Sequence, residues 1–131
     1  MSIKQIMSKN VVTVEMDDSL KMVREIFNNT RFHHLLVVES GELFGVISDR
    51  DLLKALSPYI GTVSENERDR VTLNKRVHQI MTRKPVVLEQ DAEIFEAIEI
   101  FKNQNISCIP VVDDEYKPVG IISWRDILKA W

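Results

Sequence analysis

The residues best suited to chemistry fall in one pattern that occurs twice, Gly-h-h-Ser-x-Arg-Asp with h apolar, at Gly45 to Asp51 and again at Gly120 to Asp126. Its residues fit two roles. In the first, Ser48 with Asp51, and Ser123 with Asp126, form Ser-x-x-Asp capping boxes that satisfy the free N–H groups at a helix start. In the second, the same helix start and hydroxyl receive phosphate oxygens. Asp51 would repel a phosphate, but its carboxylate suits a neutral diol such as the 2′ and 3′ hydroxyls of a ribose. Hydroxyl, helix end and carboxylate together describe a nucleotide. Duplication does not separate the two roles, because both copies inherit the motif whatever it does.

Other candidate groups carry less. His33 and His34 are adjacent in an extended segment, so they point to opposite faces and do not share a metal; His78 is the one other histidine. Asp49 and Asp51, two apart at a helix start, do not face each other as an acid/base pair would. Cys108 lies in an apolar run with no base beside it, the ordinary setting of a buried structural cysteine. Neither a GxGxxG nor a GxxxxGK phosphate loop occurs. A nucleophile or metal constellation for a hydrolase or transferase is missing, so the chain reads as a non-enzyme without a resident metal.

The elements that position the motif are themselves written twice. Gln5-Ile6-Met7-Ser8 falls on Gln79-Ile80-Met81-Thr82 at an offset of 74, and Glu25-Ile26-Phe27 falls on Glu99-Ile100-Phe101. One extra residue in the second copy then brings Gly45-Val46-Ile47-Ser48 onto Gly120-Ile121-Ile122-Ser123. Val11-Val12-Thr13-Val14 and Val86-Val87-Leu88 read as short strands, with Asp17-Asp18-Ser19 or Asp91 as helix caps after them. Leu20, Val23, Ile26 and Phe27, matched by Ile94, Ala97, Ile98 and Phe101, form one helical face. The unbroken runs Leu35-Leu36-Val37-Val38 and Ile109-Pro110-Val111-Val112 predict buried strands, and the polar turns after them predict hairpins. Each copy thus reads strand, helix, strand, strand, helix, an α/β (α+β) fold.

The domain boundaries expected are 1–56 for the first unit, 57–76 for a charged connector, and 77–131 for the second unit. Ser64-Glu65-Asn66-Glu67 in the connector has a capping-box pattern, which predicts either a solvated link or a short helix. Each copy has about 55 residues, a size at which a lone domain buries little surface, so the copies are expected to share an interface.

Composition excludes several classes. The 131 residues are 44% hydrophobic and 28% charged, which is a globular make-up and not that of a disordered chain. No apolar run approaches the roughly 18 residues of a membrane span or begins as a signal peptide, so a cytoplasmic location is the expectation. A single cysteine fits a reducing compartment. The net charge of -3, with basic residues scattered among acids, argues against nucleic acid as a partner.

Taken together, the doubled strand-helix-strand-strand-helix units, the Ile-Met-Ser/Thr starts and the Gly-h-h-Ser-x-Arg-Asp-h-h ends resemble a tandem CBS-domain pair, or Bateman module, over about nine-tenths of the chain. Phe32-His33-His34-Leu35-Leu36-Val37-Val38 and Ser48-Asp49-Arg50-Asp51-Leu52 are most similar to small stand-alone CBS proteins of the acetoin-utilisation type. The resemblance implies units packed sheet to sheet about a pseudo-two-fold axis, a homodimer, and adenosyl ligands such as AMP, ADP, ATP or S-adenosylmethionine in two clefts. Such a module regulates a separate protein; whether Mg²⁺ accompanies a polyphosphate stays open. In one cleft, the resemblance implies, Asp51 holds ribose and Ser48 with Arg50 lies near phosphate. Thr82, Lys84, Pro85, Val86, Ile106, Ser107, Cys108, Ile109 and Pro110 then frame adenine. In the other, Asp126, Ser123 and Arg125 face Ser8, Asn10, Val11, Val12, Phe32, His33 and His34. Trp124 in place of Asp49, Leu36 in place of Pro110, and the bulk of Phe32 and His33 make this second cleft the one expected to be silent. The alternative is a ligand-free structural or protein-binding dimer in which the Ser-x-x-Asp motifs are only helix caps.

Overall fold

The computed structural model describes residues 1–130 and runs α1 (Ile3–Ile6), β1 (Thr13–Glu15), α2 (Leu20–Asn29), β2 (His34–Glu39), β3 (Glu42–Ser48), α3 (Asp49–Ala55), α4 (Glu67–Val71), α5 (Val77–Ile80), β4 (Thr82–Arg83), β5 (Leu88–Glu89), α6 (Ile94–Asn103), β6 (Cys108–Val112), β7 (Pro118–Ser123) and α7 (Trp124–Ala130). A short 3-10 turn, Thr72–Asn74, follows α4. The mixed α+β class expected from the periodicity is the class observed, with strands in two sheets.

Two compact units divide these elements. The α3 unit comprises Thr13–Glu39 and Phe44–Arg83; the α7 unit comprises Met1–Val12, Ser40–Leu43 and the chain from Lys84 onward. The α3 unit is built on a sheet of order β1-β2-β3-β4, with β1 parallel to β2 and β3 antiparallel to β4. Val14, Leu20, Val23, Leu35, Val37, Ile47 and Val77 are buried there, each worth about 1.5–3 kcal/mol against exposure. The α7 unit has the order β5-β6-β7. Its core joins Ile3 and Met7 to Ala97, Phe101, Ile109, Val111, Ile122 and Ile127.

Each unit is therefore completed by the leading segment of the other sequence copy. The Val77 N–H donates to Asp18 O at 2.9 Å and Leu20 N–H donates to Lys75 O at 2.9 Å, tying the α5 start to the α2 start. The repeat-equivalent bonds tie α1 to α6, from Ile3 N–H to Ala92 O at 2.8 Å and from Ile94 N–H to Met1 O at 3.0 Å. Beyond each helix the segment lies along a strand edge. Thr82 pairs with Val46, and Ser8 exchanges two 2.9 Å bonds with Ile121.

That approach accounts for the motif glycines. A Cβ on Gly45 would stand 2.7 Å from Thr82 O and 2.8 Å from Met81 Sδ. A Cβ on Gly120 would collide with Met7 Sδ and lie 3.0 Å from Ser8 O. The two ends of the repeat signature, Ile-Met-Ser/Thr and Gly-h-h-Ser, thus touch each other across copies.

Local expectations shift in four places. The first strand begins at Thr13, because Val11 N–H turns back to Lys9 O at 3.1 Å and leaves the ladder. In the second copy the ladder starts one position later, at Leu88 opposite Val111, whereas Thr13 pairs with Leu36 in the first. Pro110 stands at the Leu36 position and has no N–H to extend that ladder. Helix α6 is capped by a Glu93–Glu96 box instead of by Asp91, while Ser19 caps α2 as expected. Within the connector, Asn66 and Asp69 form the capping box two residues beyond Ser64 and Glu67. Asp69 wins because it is buried and also accepts a 2.6 Å bond from the Ser57 hydroxyl.

The glycine contacts generate a stability prediction. Gly45→Ala meets a backbone carbonyl that cannot swing aside, so it should cost about 2 kcal/mol or more by chemical denaturation. Gly120→Ala, opposed mainly by the flexible Met7 side chain, should cost less; equal, negligible losses in both would contradict the packing described.

Candidate functional site

Both copies of the motif end at a helix start, and both carboxylates are used there. Asp51 Oδ2 accepts the Ser48 N–H at 2.9 Å while Ser48 Oγ accepts the Asp51 N–H at 3.0 Å, a complete capping box on α3. At α7, Asp126 Oδ2 accepts the Ser123 N–H at 2.8 Å and the Ser123 hydroxyl at 3.1 Å. A carboxylate offers two oxygens and about four lone pairs, so a cap through Oδ2 leaves Oδ1 with capacity for hydroxyl donors. Capping and ligand binding are compatible in the same residue.

The surroundings of the two motifs differ. Beside Asp51, the Asp49 carboxylate meets His33 Nδ1 at 2.8 Å, and Asp49 N–H donates to His33 O at 3.0 Å. His33 and Asp49 side chains are 64% and 44% exposed, so this pair contributes little to stability. In the second copy Trp124, at the Asp49 position, packs on Phe101 of α6 with ring centroids 4.9 Å apart and planes tilted by 34°.

A cavity lies against each motif carboxylate. One of about 310 Å³ is lined by Asp51, Lys54, Ala55, Lys75 and Ile80 in the α3 unit. The other, of about 400 Å³, is lined by Met1, Gln5, Ile6, Asp126, Lys129 and Ala130 in the α7 unit. Asp51, Lys54, Ala55 and Ile80 are the repeat equivalents of Asp126, Lys129, Ala130 and Ile6. The lysines did not stand out in the sequence; that both copies carry Lys-Ala three and four residues after the aspartate was the signal available.

The remaining candidate residues divide between units. Ser48, Arg50, Asp51, Thr82, Phe32, His33 and His34 belong to the α3 unit. Ser8, Asn10, Val11, Val12, Lys84, Pro85, Val86, Ile106, Ser107, Cys108, Ile109, Pro110, Ser123, Arg125 and Asp126 belong to the α7 unit. Arg50, Thr82 and Ser107 are exposed, whereas Cys108, Ile109 and Pro110 are buried in β6. Lys84 holds a left-handed φ of 48° directly before Pro85, a conformation unusual for a side-chain-bearing residue. Among the described residues, no group of three or more His, Cys, Asp or Glu is placed to hold a metal ion. None of the described helices is long and apolar enough to cross a membrane.

His34, half-buried at the start of β2, has its imidazole pKa pushed below the ordinary 6.5. Burial is the main cause, the field of Asp49 opposes it, that of His33 reinforces it, and that of Asp51 opposes it more weakly. The folded chain takes up this proton less readily than the unfolded chain, so stability falls as pH drops through 6.5 toward the lowered value. His34→Gln should flatten the loss of denaturation midpoint between about pH 7 and pH 5. An unchanged slope would show that His34 does not titrate differently in the two states.

The CBS domain sequence profile matches residues 3–58 and 77–131. A CBS domain-containing protein of Dictyostelium discoideum is 33% identical over 128 residues, covering 96% of this chain and 88% of the relative. The chain spans less than half of two further relatives from Methanocaldococcus jannaschii, 46% and 44% of their lengths. Among solved structures, the CBS domain pair of protein MJ0100 in complex with 5′-methylthioadenosine and S-adenosyl-L-methionine superposes with a TM-score of 0.78 at 30% identity, over 99% of this chain and 94% of that one. The cytosolic domain of the Mg²⁺ channel MgtE in complex with ATP gives a TM-score of 0.74 at 26% identity, over 96% and 47%. A Vibrio cholerae protein ascribed to acetoin utilization shares the fold, with a TM-score of 0.79 at 21% identity over 99% and 89%. With both copies of the repeat matched by the family profile, the chain belongs to the CBS-domain family as a tandem pair.

Proposed function

We infer that the chain is a non-enzymatic, cytoplasmic regulatory module, assembled as a homodimer, that binds an adenosyl compound and shifts a conformational equilibrium felt by a separate protein. The observation that carries this reading is the likeness to a CBS pair holding 5′-methylthioadenosine and S-adenosylmethionine. The ATP-bound MgtE domain supports the same ligand class. The chemistry of the motif agrees with it, because Asp51 and Asp126 cap their helices through one oxygen and retain another for a ribose diol.

In this reading Asp51 binds ribose and Ser48 with Arg50 lies at the 5′ substituent, while Asp126, Ser123 and Arg125 hold the equivalent roles in the second copy. The first copy is the working one in this reading, since Trp124 stands in the second motif where the first has Asp49. A ligand acts on a partner only through its difference in affinity between conformations, so the output cannot exceed that difference. The ligand-free dimer, with the motifs as caps alone, is the competing reading, and the capping bonds at both helix starts favour it to the extent that they occupy the carboxylates.

Calorimetry separates the two. Titration with AMP, ADP, ATP and S-adenosylmethionine should give saturable binding. Asp51→Asn keeps an oxygen for the Ser48 N–H but removes the charged acceptor, and it should weaken binding at least about tenfold. Asp126→Asn should change affinity much less. No heat with any ligand, together with a melting shift below about 1 °C at millimolar ligand, would favour the structural dimer.

A further inference from the structure

The two cavities at the motif carboxylates occupy repeat-equivalent places but differ in charge. Two lysines, Lys54 and Lys75, line the cavity with Asp51. Against Asp126 stands one lysine, Lys129; Met1, at the repeat position of Lys75, brings an α-ammonium instead, and that group is paired with Glu93 at 3.4 Å. Lys75 Nζ donates a 3.2 Å bond to Ala55 O, another residue of this cavity, which engages one of its three donors. Lys54 makes no ion pair among the described residues. It follows Asp51 by three residues on α3, so the two side chains share a face with Cβ atoms about 5–6 Å apart.

A lining of two cations and one carboxylate is a poor site for free phosphate, which Asp51 repels. It suits an anion tethered to a neutral diol, with the diol on the carboxylate and the charge on the lysines. We propose that Lys54 and Lys75 hold the terminal phosphates of an adenine nucleotide whose ribose is bound by Asp51, so that the first-copy site selects ATP over AMP and over S-adenosylmethionine. The discrimination is electrostatic. Each added phosphate gains from two lysines, whereas S-adenosylmethionine sets a sulfonium and an ammonium against a single carboxylate and so brings a net positive charge to them. This inference rests on the adenosyl-binding reading above and adds the ligand's charge to it.

The test is calorimetry of the full chain with ATP, AMP and S-adenosylmethionine, at low and at about 0.5 M salt, for the unmodified protein, Lys54→Gln, Lys75→Gln and the surface control Lys102→Gln. The unmodified protein should bind ATP more tightly than the other two, and high salt should narrow the gap. Lys54→Gln, which disturbs no helix-end bond, should weaken ATP by about tenfold and leave AMP unchanged. Lys75→Gln should do the same, and Lys102→Gln should do nothing. Equal affinity for ATP and AMP, or equal losses for both in Lys54→Gln at an unchanged melting temperature, would overturn the inference while leaving adenosyl binding intact. Failure of every adenosine compound to bind the unmodified protein would overturn both.

Discussion

Two glycines with a neighbouring chain pressed against them set the architecture of this protein. Gly45 and Gly120 lie on β3 and β7 where Thr82 and Ser8 run alongside, and a methyl group at either would overlap that chain. The methionines preceding Ser8 and Thr82 are buried, so the approach combines strand-edge hydrogen bonds with apolar packing. Everything downstream in the motif inherits its position from this contact. Ser48 and Ser123 follow the glycines by three residues and open α3 and α7, which brings Asp51 and Asp126 to the two cavities.

The same contact explains why neither copy forms a unit by itself. A copy of about 55 residues buries little apolar surface by itself, and each gains from the other copy a short helix with one buried anchor. Ile3 and Val77, both fully buried, are the anchors. The hydrogen bonds around them repeat pair by pair, so the duplication persists in the backbone and not merely in residue types. The connector belongs to this economy as well. Its buried Asp69 joins α4 to Ser57, and its Lys75 serves both the α2 start and the end of α3.

The copies keep the residues that hold the fold and differ beside the motif carboxylates. The glycines, the capping aspartates and the buried apolar runs recur, while His33 with Asp49 gives way to Ser107 with Trp124, and Lys75 gives way to Met1. Pro110 shortens one parallel ladder by a single pair without changing the strand order within its sheet. One protein thus presents two related helix starts with different side chains around them: a carboxylate with two lysines and a carboxylate with one lysine and Met1.

Much of this was legible from residues alone. The repeat, the strand-helix-strand-strand-helix order within each copy, the hairpins and the two Ser-x-x-Asp helix starts follow from local rules, because periodicity and capping involve residues a few positions apart; the short helices α1 and α5 and the edge strand β4 do not. Strand limits at Thr13 and Leu88, the caps at Glu93 and Asn66, and the lysines around Asp51 did not follow. Each depends on what a distant segment supplies: a ladder partner, a hydroxyl for Asp69, or a carbonyl for Lys75. Two like halves carrying the same motif can be read from residue types and spacing. That each half is completed by the other's leading segment emerges only in three dimensions, since a glycine in a list of residues does not reveal which chain presses against it.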